Sequence, residues 1–253
     1  MITLGFARGG LELRQFFRLR EAVVFTFTLP AFLMVLLGSI FGGTAQVFAA
    51  GMIGSGIVST SFVSMGTGIA SDREDGTLKR LRGTPLPATA YFLGKVVLVA
   101  VASLAEVVLL LLVAVPLFGL DLPSSPQRWF TFAWVFVLGV TSCALLGIAA
   151  GSLARSVAGA TAIMNLVYVA LQFVSGVFVT PITQLPAVMV EVASFFPVKW
   201  ICQGFRSVFL PDAMAANEMA GRWELGTVAL VLGAWCVAGL LLCRLTFRWA
   251  NSR

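Results

Sequence analysis

Histidine is absent from this 253-residue chain, and charge is scarce, with Asp, Glu, Lys and Arg together making up 11% of it. A soluble globular domain carries roughly 25% charged residues, so an ordinary water-solvated globule is excluded. The four cysteines, Cys143, Cys202, Cys236 and Cys243, include no CxxC pair, and no histidine could complete a zinc set. Cys236 and Cys243 fall on one expected helix, about 10 Å apart by helical rise and beyond the reach of a disulfide. They read as apolar fillers. Also missing are a GxxxxGK[ST] phosphate loop, a GxSxG elbow and an HExxH helix. Gly94-Lys95-Val96 lacks the hydroxyl residue and the spaced glycine that a phosphate loop needs. The chain is therefore not expected to hydrolyse ATP or to hold a metal or cofactor of its own. Met1 to Arg20 lacks the apolar stretch and small-residue cleavage site of a secretory signal, so the first span is expected to be retained.

What the chain has is apolar length. Hydrophobic residues make up 59% of it, and the mean hydropathy is +0.97. The expected fold class is an all-α integral membrane protein forming a single transmembrane domain, 1–253. Its spans are expected at Ala22 to Phe41, Val47 to Ala70, Tyr91 to Phe118, Trp129 to Ala154, Val157 to Phe178 and Leu225 to Leu245. Six spans put both termini on one side. Of the 17 Lys and Arg, only Arg128, Lys199, Arg206 and Arg222 lie on the opposite side, while Lys95 can snorkel from the start of its span. By the positive-inside rule both termini and the 71–87 loop face the cytoplasm, with the chain multi-pass in the plasma (inner) membrane. The net charge of +6 thus reports topology, because the basic residues cap spans and form no continuous face for nucleic acid.

Before the first span, Leu13, Phe16 and Phe17 recur at helical spacing with Glu12, Arg14, Gln15 and Arg18 on the other side. Residues 1–20 therefore predict a helix lying in the membrane interface, an anchor or a mechanical element. Between the fifth and sixth spans, 180–210 is apolar but cut by Pro181, Pro186 and Pro197. Leu185 to Phe196 and Val198 to Leu210 fit two half-helices that enter the external leaflet and return. Gly38 with Gly42, and Gly147 with Gly151, are small-xxx-small pairs read as packing within the chain or as a dimer contact.

Polar residues inside spans are costly in lipid, and they nominate a substrate pathway. Asn165, Tyr168 and Gln172 share one face of the fifth span, and Ser55 and Ser59 share one in the second. Interhelical hydrogen bonds explain them equally well. Glu106 sits mid-span in the third segment, where an acid costs roughly 2.5 to 3.5 kcal/mol to insert. Binding of a cation, a proton-linked step and a structural hydrogen bond are all open for it.

The densest charge lies in the loop between the second and third spans, Ser71-Asp72-Arg73-Glu74-Asp75-Gly76-Thr77-Leu78-Lys79-Arg80-Leu81-Arg82-Gly83-Thr84-Pro85-Leu86-Pro87. A short helix from about Asp72 to Arg82 would put acids in its first turn and bases in its last, which suits the helix dipole. Leu78 and Leu81 would offer a small apolar face. Asp72 to Leu78, followed by Gly83-Thr84-Pro85-Leu86-Pro87, resembles the acidic-basic, Gly-Thr-Leu, Thr-Pro loop of ABC-2 type transporter permeases. The entry helix, six spans and external hairpin are similar too, so the resemblance covers nearly all of the chain. The first-span texture, Arg20-Glu21-Ala22 to Leu29-Pro30, resembles the drug and antibiotic exporter branch.

The resemblance implies a permease paired with a second permease subunit, identical or homologous. Two ATP-binding subunits, which bind ATP and Mg, would sit on the pair. Asp72, Arg73, Glu74, Asp75, Gly76, Thr77, Leu78, Lys79, Arg80, Leu81 and Arg82 would form the coupling segment that docks on the ATPase. The expected function is export of a hydrophobic or amphipathic substrate. The rival is an ion- or proton-coupled transporter or channel that uses Glu106.

Overall fold

The computed structural model describes residues 2–18, 20–84 and 87–246. These residues form helices and connecting turns throughout. Helix α1 (Ile2–Arg18) leads into α2 (Arg20–Phe41), the expected first span. The second span is one unbroken helical rod, Gly42–Glu74, made of a short 3-10 turn, α3 (Ala45–Val58), a π-helical segment (Ser59–Ser64) and α4 (Met65–Glu74). Then come α5 (Thr77–Arg82), α6 (Ala88–Phe118), α7 (Pro126–Leu153) and α8 (Val157–Val174). The hairpin is α9 (Ala187–Ser194) and α10 (Pro197–Phe209), and α11 (Leu225–Thr246) closes the bundle. Among the described residues five helices are long and apolar enough to cross a membrane, and α2 adds a shorter apolar segment, Thr26–Ile40.

Local chemistry explains where the rods stop. Ser125 accepts the Arg128 backbone N–H at the start of α7, with Pro126 at the first helical position, and Ser156 accepts the Gly159 N–H at the start of α8. Gly119 ends α6 at φ 62°, a left-handed conformation that glycine adopts without a Cβ penalty.

Two expectations change. The second span does not end at Ala70: the helix carries on through Asp72, Arg73 and Glu74, because its last turn is held by partners on α6, α7 and α8. The single helix expected from Asp72 to Arg82 is instead broken at Asp75–Gly76, where Gly76 takes φ 71° and α5 starts anew. The second span is the hub of the fold. Every residue of α3 except Gln46 is buried, packed on α2, α6 and α10, while α4 packs on α7 and α8. Gly147 and Gly151 of α7 let the second span approach so closely that a methyl on Gly147 would lie 2.6 Å from the Phe62 carbonyl oxygen. A methyl on Gly151 would strike Gly66. This pair therefore serves packing within the chain. Gly38 packs on Phe118, whereas Gly42 faces open space.

α1 is more deeply engaged than an interfacial anchor requires. It runs along α6, and a methyl on Gly94 would lie 2.7 Å from the Arg8 side chain. Glu12, expected on a polar outer face, is only 5% exposed, because Lys95 of α6 reaches it. Every residue of α10 is buried, between α3, α7 and α11. Arg206 in α10 pairs with Glu218 at 2.6 Å and donates to the Gly176 carbonyl at 3.2 Å, tying the hairpin to the end of α8.

Candidate functional site

The turn after the second span is bolted to three helices. Arg73 donates to the Ser152 and Ala154 carbonyls at 2.5 and 3.1 Å, gripping the last turn of α7. Glu74 accepts the Val157 N–H at 2.7 Å, an anion at the N-terminus of α8 where the helix dipole favours it. Asp72 accepts from the Tyr91 hydroxyl and from Lys95, each at 2.7 Å. Lys95 also reaches Glu12 at 2.9 Å, and Arg8 holds the other oxygen of Glu12 at 2.6 Å. A chain of opposite charges, Arg8–Glu12–Lys95–Asp72, thus joins α1, α6 and the end of α4. Lys95 does not snorkel to water but is enclosed between two carboxylates, because buried charges persist only when paired.

Past this anchorage, α5 presents a charged surface. Glu74, Asp75, Lys79 and Arg80 are exposed. Arg80 donates to the Asp75 carbonyl at 3.1 Å, and Thr84 to the Leu81 carbonyl at 2.7 Å. Leu78 corrects the expectation of an apolar docking face: it is 3% exposed and belongs to the chain's own core, and Leu81 is half-buried against that core. Gly76 and Thr77 form the bend itself. The Arg82 side chain, Pro85 and Leu86 lie outside the described residues.

The nominated pathway residues fall into separate places. Glu106 is fully enclosed on α6, where it accepts a hydrogen bond from Thr60 of the π segment, while its Oε1 has no partner among the described residues. Gly56 makes room for it, since a methyl there would lie 2.8 Å from Oε1. On another side of the second span, Ser55 and Tyr168 share a hydrogen bond of 2.9 Å, linking α3 to α8. Gln172 is buried one turn further along, its Oε1 unpartnered among the described residues. Asn165 points outward and donates to the Thr161 carbonyl of its own helix at 2.9 Å, and Ser59 is partly exposed. The structure thus brings Ser55, Ser59 and Tyr168 together, and leaves Asn165 apart from them.

Sequence reasoning missed Glu12, Thr60 and Tyr91. An acid on the helix before the first span and a lysine four residues past Tyr91 were visible signals, but nothing in the sequence shows that α1 packs along α6. Among the described residues no group of three or more His, Cys, Asp or Glu could hold a metal ion.

A bundle of long apolar helices with a charged, multiply tethered turn after its second span defines a multi-pass membrane protein. The family model for the ABC-2 type transporter matches residues 10–210, and the chain belongs to that family. It is a permease component of an ABC transporter. No curated protein matches it.

Proposed function

We propose that this chain is the exporting permease of a complex in which separate ATP-binding subunits supply the energy, and that Glu74 to Arg80 form the surface on which they dock. The chain has no phosphate loop of its own. The observation that carries the reading is the joint at Gly76. At and beyond it stand exposed Asp75, Lys79 and Arg80; before it Asp72, Arg73 and Glu74 grip α6, α7 and α8. A push on α5 therefore moves the ends of four spans at once. Such a surface faces the cytoplasm of a plasma-membrane protein, and two such permease chains, each with an ATPase, complete the transporter. The cargo is hydrophobic or amphipathic, of the drug, antibiotic or lipid-like kind, because the spans offer apolar walls with isolated hydrogen-bonding groups.

The test addresses exposed charges and leaves the buried leucine alone. Lys79→Glu combined with Arg80→Glu inverts the charge of the proposed docking surface outside the lipid. The double variant is expected to insert normally and to retain its thermal unfolding midpoint, but to co-purify with about tenfold less ATPase subunit and to lose ATP-dependent transport. Wild-type co-purification and transport would remove α5 from the docking surface. Uptake driven by an ion gradient without ATP would replace the pump with the secondary-transporter reading.

A further inference from the structure

We propose that the half-open cavity lined by α1, α2, the second span, α6 and α8 is a binding site for an amphiphile with a hydrogen-bond-donating cationic head, a primary ammonium on an apolar tail. That this amphiphile is cargo rests on the transport reading above; that it binds does not. The cavity has a volume of about 450 Å³, within the range of roughly 300 to 1,000 Å³ typical of small-molecule sites. None of the six nominated pathway residues lines it.

The cavity is graded from charge to grease. At one end stand Glu12, Asp72 and Lys95, and at the other Leu98, Val99 and Ala102, with Ser64 and Thr67 between them. Glu12 and Lys95 are each 5% exposed and held in place by their ion pairs, while Asp72 is partly exposed. Its charges balance, the carboxylates of Glu12 and Asp72 against the Lys95 ammonium and the Arg8 guanidinium held on Glu12, so free hydrogen-bonding capacity rather than net charge selects the head. Both oxygens of Glu12 are occupied, by Arg8 and Lys95. On Asp72, Oδ2 takes both Lys95 and Tyr91, while Oδ1 makes no hydrogen bond among the described residues. Asp72 Oδ1 therefore accepts the ligand's N–H, and the lining hydroxyls of Thr26 and Ser64, which make no hydrogen bond among the described residues, accept the rest. An anionic head would instead meet the free Asp72 Oδ1 and find Lys95 already held between Glu12 and Asp72. The tail lies along Val99 and Ala102 towards Thr60, whose hydroxyl is already committed to Glu106.

Gly68 gives the means of testing this. It lines the cavity, and a Cβ placed on it meets nothing within 4 Å. A side chain there starts in open space and grows into the cavity, and replacing a helical glycine does not weaken the helix. The permease, without its ATPase subunits and in nanodiscs of phosphatidylcholine, is titrated with a dodecylammonium probe carrying a fluorophore on its tail. The same probe with a sulfate head serves as control. The wild type is expected to bind the ammonium probe about tenfold more tightly than the sulfate, and Gly68→Leu to lose about tenfold in affinity, Gly68→Ala less, with the unfolding midpoint kept. Unchanged affinity in Gly68→Leu, or equal binding of the sulfate, overturns the proposal. Phosphatidylethanolamine in the discs separates the sources of this head chemistry: displacement of the probe assigns the site to a bilayer lipid, and retention to a free amphiphile, the site standing in both. Because ATP and its subunit are absent, failure of the transport reading leaves these binding results intact.

Discussion

Glu106 and Thr60 set out what one hydrogen bond does at the level of single residues. The acid is fully enclosed, Thr60 donates to it, and its other oxygen is unpartnered among the described residues. Removing one partner of a buried pair costs more than the bond is worth, because the survivor keeps its desolvation penalty. Replacing both with apolar groups is close to neutral. Thr60→Val is therefore expected to destabilise the detergent-solubilised permease by about 1 to 3 kcal/mol, and Thr60→Val with Glu106→Leu to recover most of that. Thermal unfolding of the two variants checks the order. If the double variant is no more stable than Thr60→Val alone, the acid holds the bundle through something other than this bond. Of this pair, the sequence showed only the acid. Glu106 stands out in an apolar run, whereas a threonine in a membrane helix is ordinary, and its partnership depends on a π segment that no spacing announces.

Among elements, the closest approach is that of the second span to α7, where Gly66, Gly147 and Gly151 bring backbone against backbone. Helices in lipid associate through such contact because no hydrophobic gain separates lipid from leucine. Gly151→Ala is expected to cost about 1 to 3 kcal/mol by overpacking. Gly226→Ala on α11, where a methyl meets nothing within 4 Å, should cost nothing. Equal unfolding midpoints for the two would deny the crossing its role. Spans, hairpin and the charged loop after the second span were legible because apolar length, charge and proline breaks act locally. The Gly147–Gly151 pair was legible as a motif but not in its target, since a small-xxx-small pattern says that something comes close without saying what. The joint at Gly76 was hidden for a different reason. Gly76 was a local stop signal that the charge pattern from Asp72 to Arg82 masked, and the anchoring of Arg73 and Glu74 on α7 and α8 rests on contacts between residues about 80 positions apart that no local pattern carries.

For the whole molecule, the charge distribution fixes how the bundle is expected to sit in its membrane. Lys and Arg gather at the end that carries α5, and the loop before α7 lies at the other. A cysteine replacing Ser124 on a background without Cys143, Cys202, Cys236 and Cys243 is expected to react with a membrane-impermeant maleimide in intact cells. Blocking only by permeant reagents would reverse the orientation. Substrate identity was not legible at any scale, because apolar walls and scattered hydroxyls admit many molecules of one class.

The burial of α10 bears on how the protein is made. This 13-residue helix is too short to cross a bilayer and carries Lys199 and Arg206, yet it is buried on every side, with α11 forming one wall. The ribosome finishes α10 before α11 exists. During that interval α3 and α7 are already beside the helix, and Lys199 and Arg206 find their partners in Ser194, Gly176 and Glu218, all of them made before α11. The charges can therefore be settled ahead of the last span, whose arrival is expected to close the remaining wall around α10.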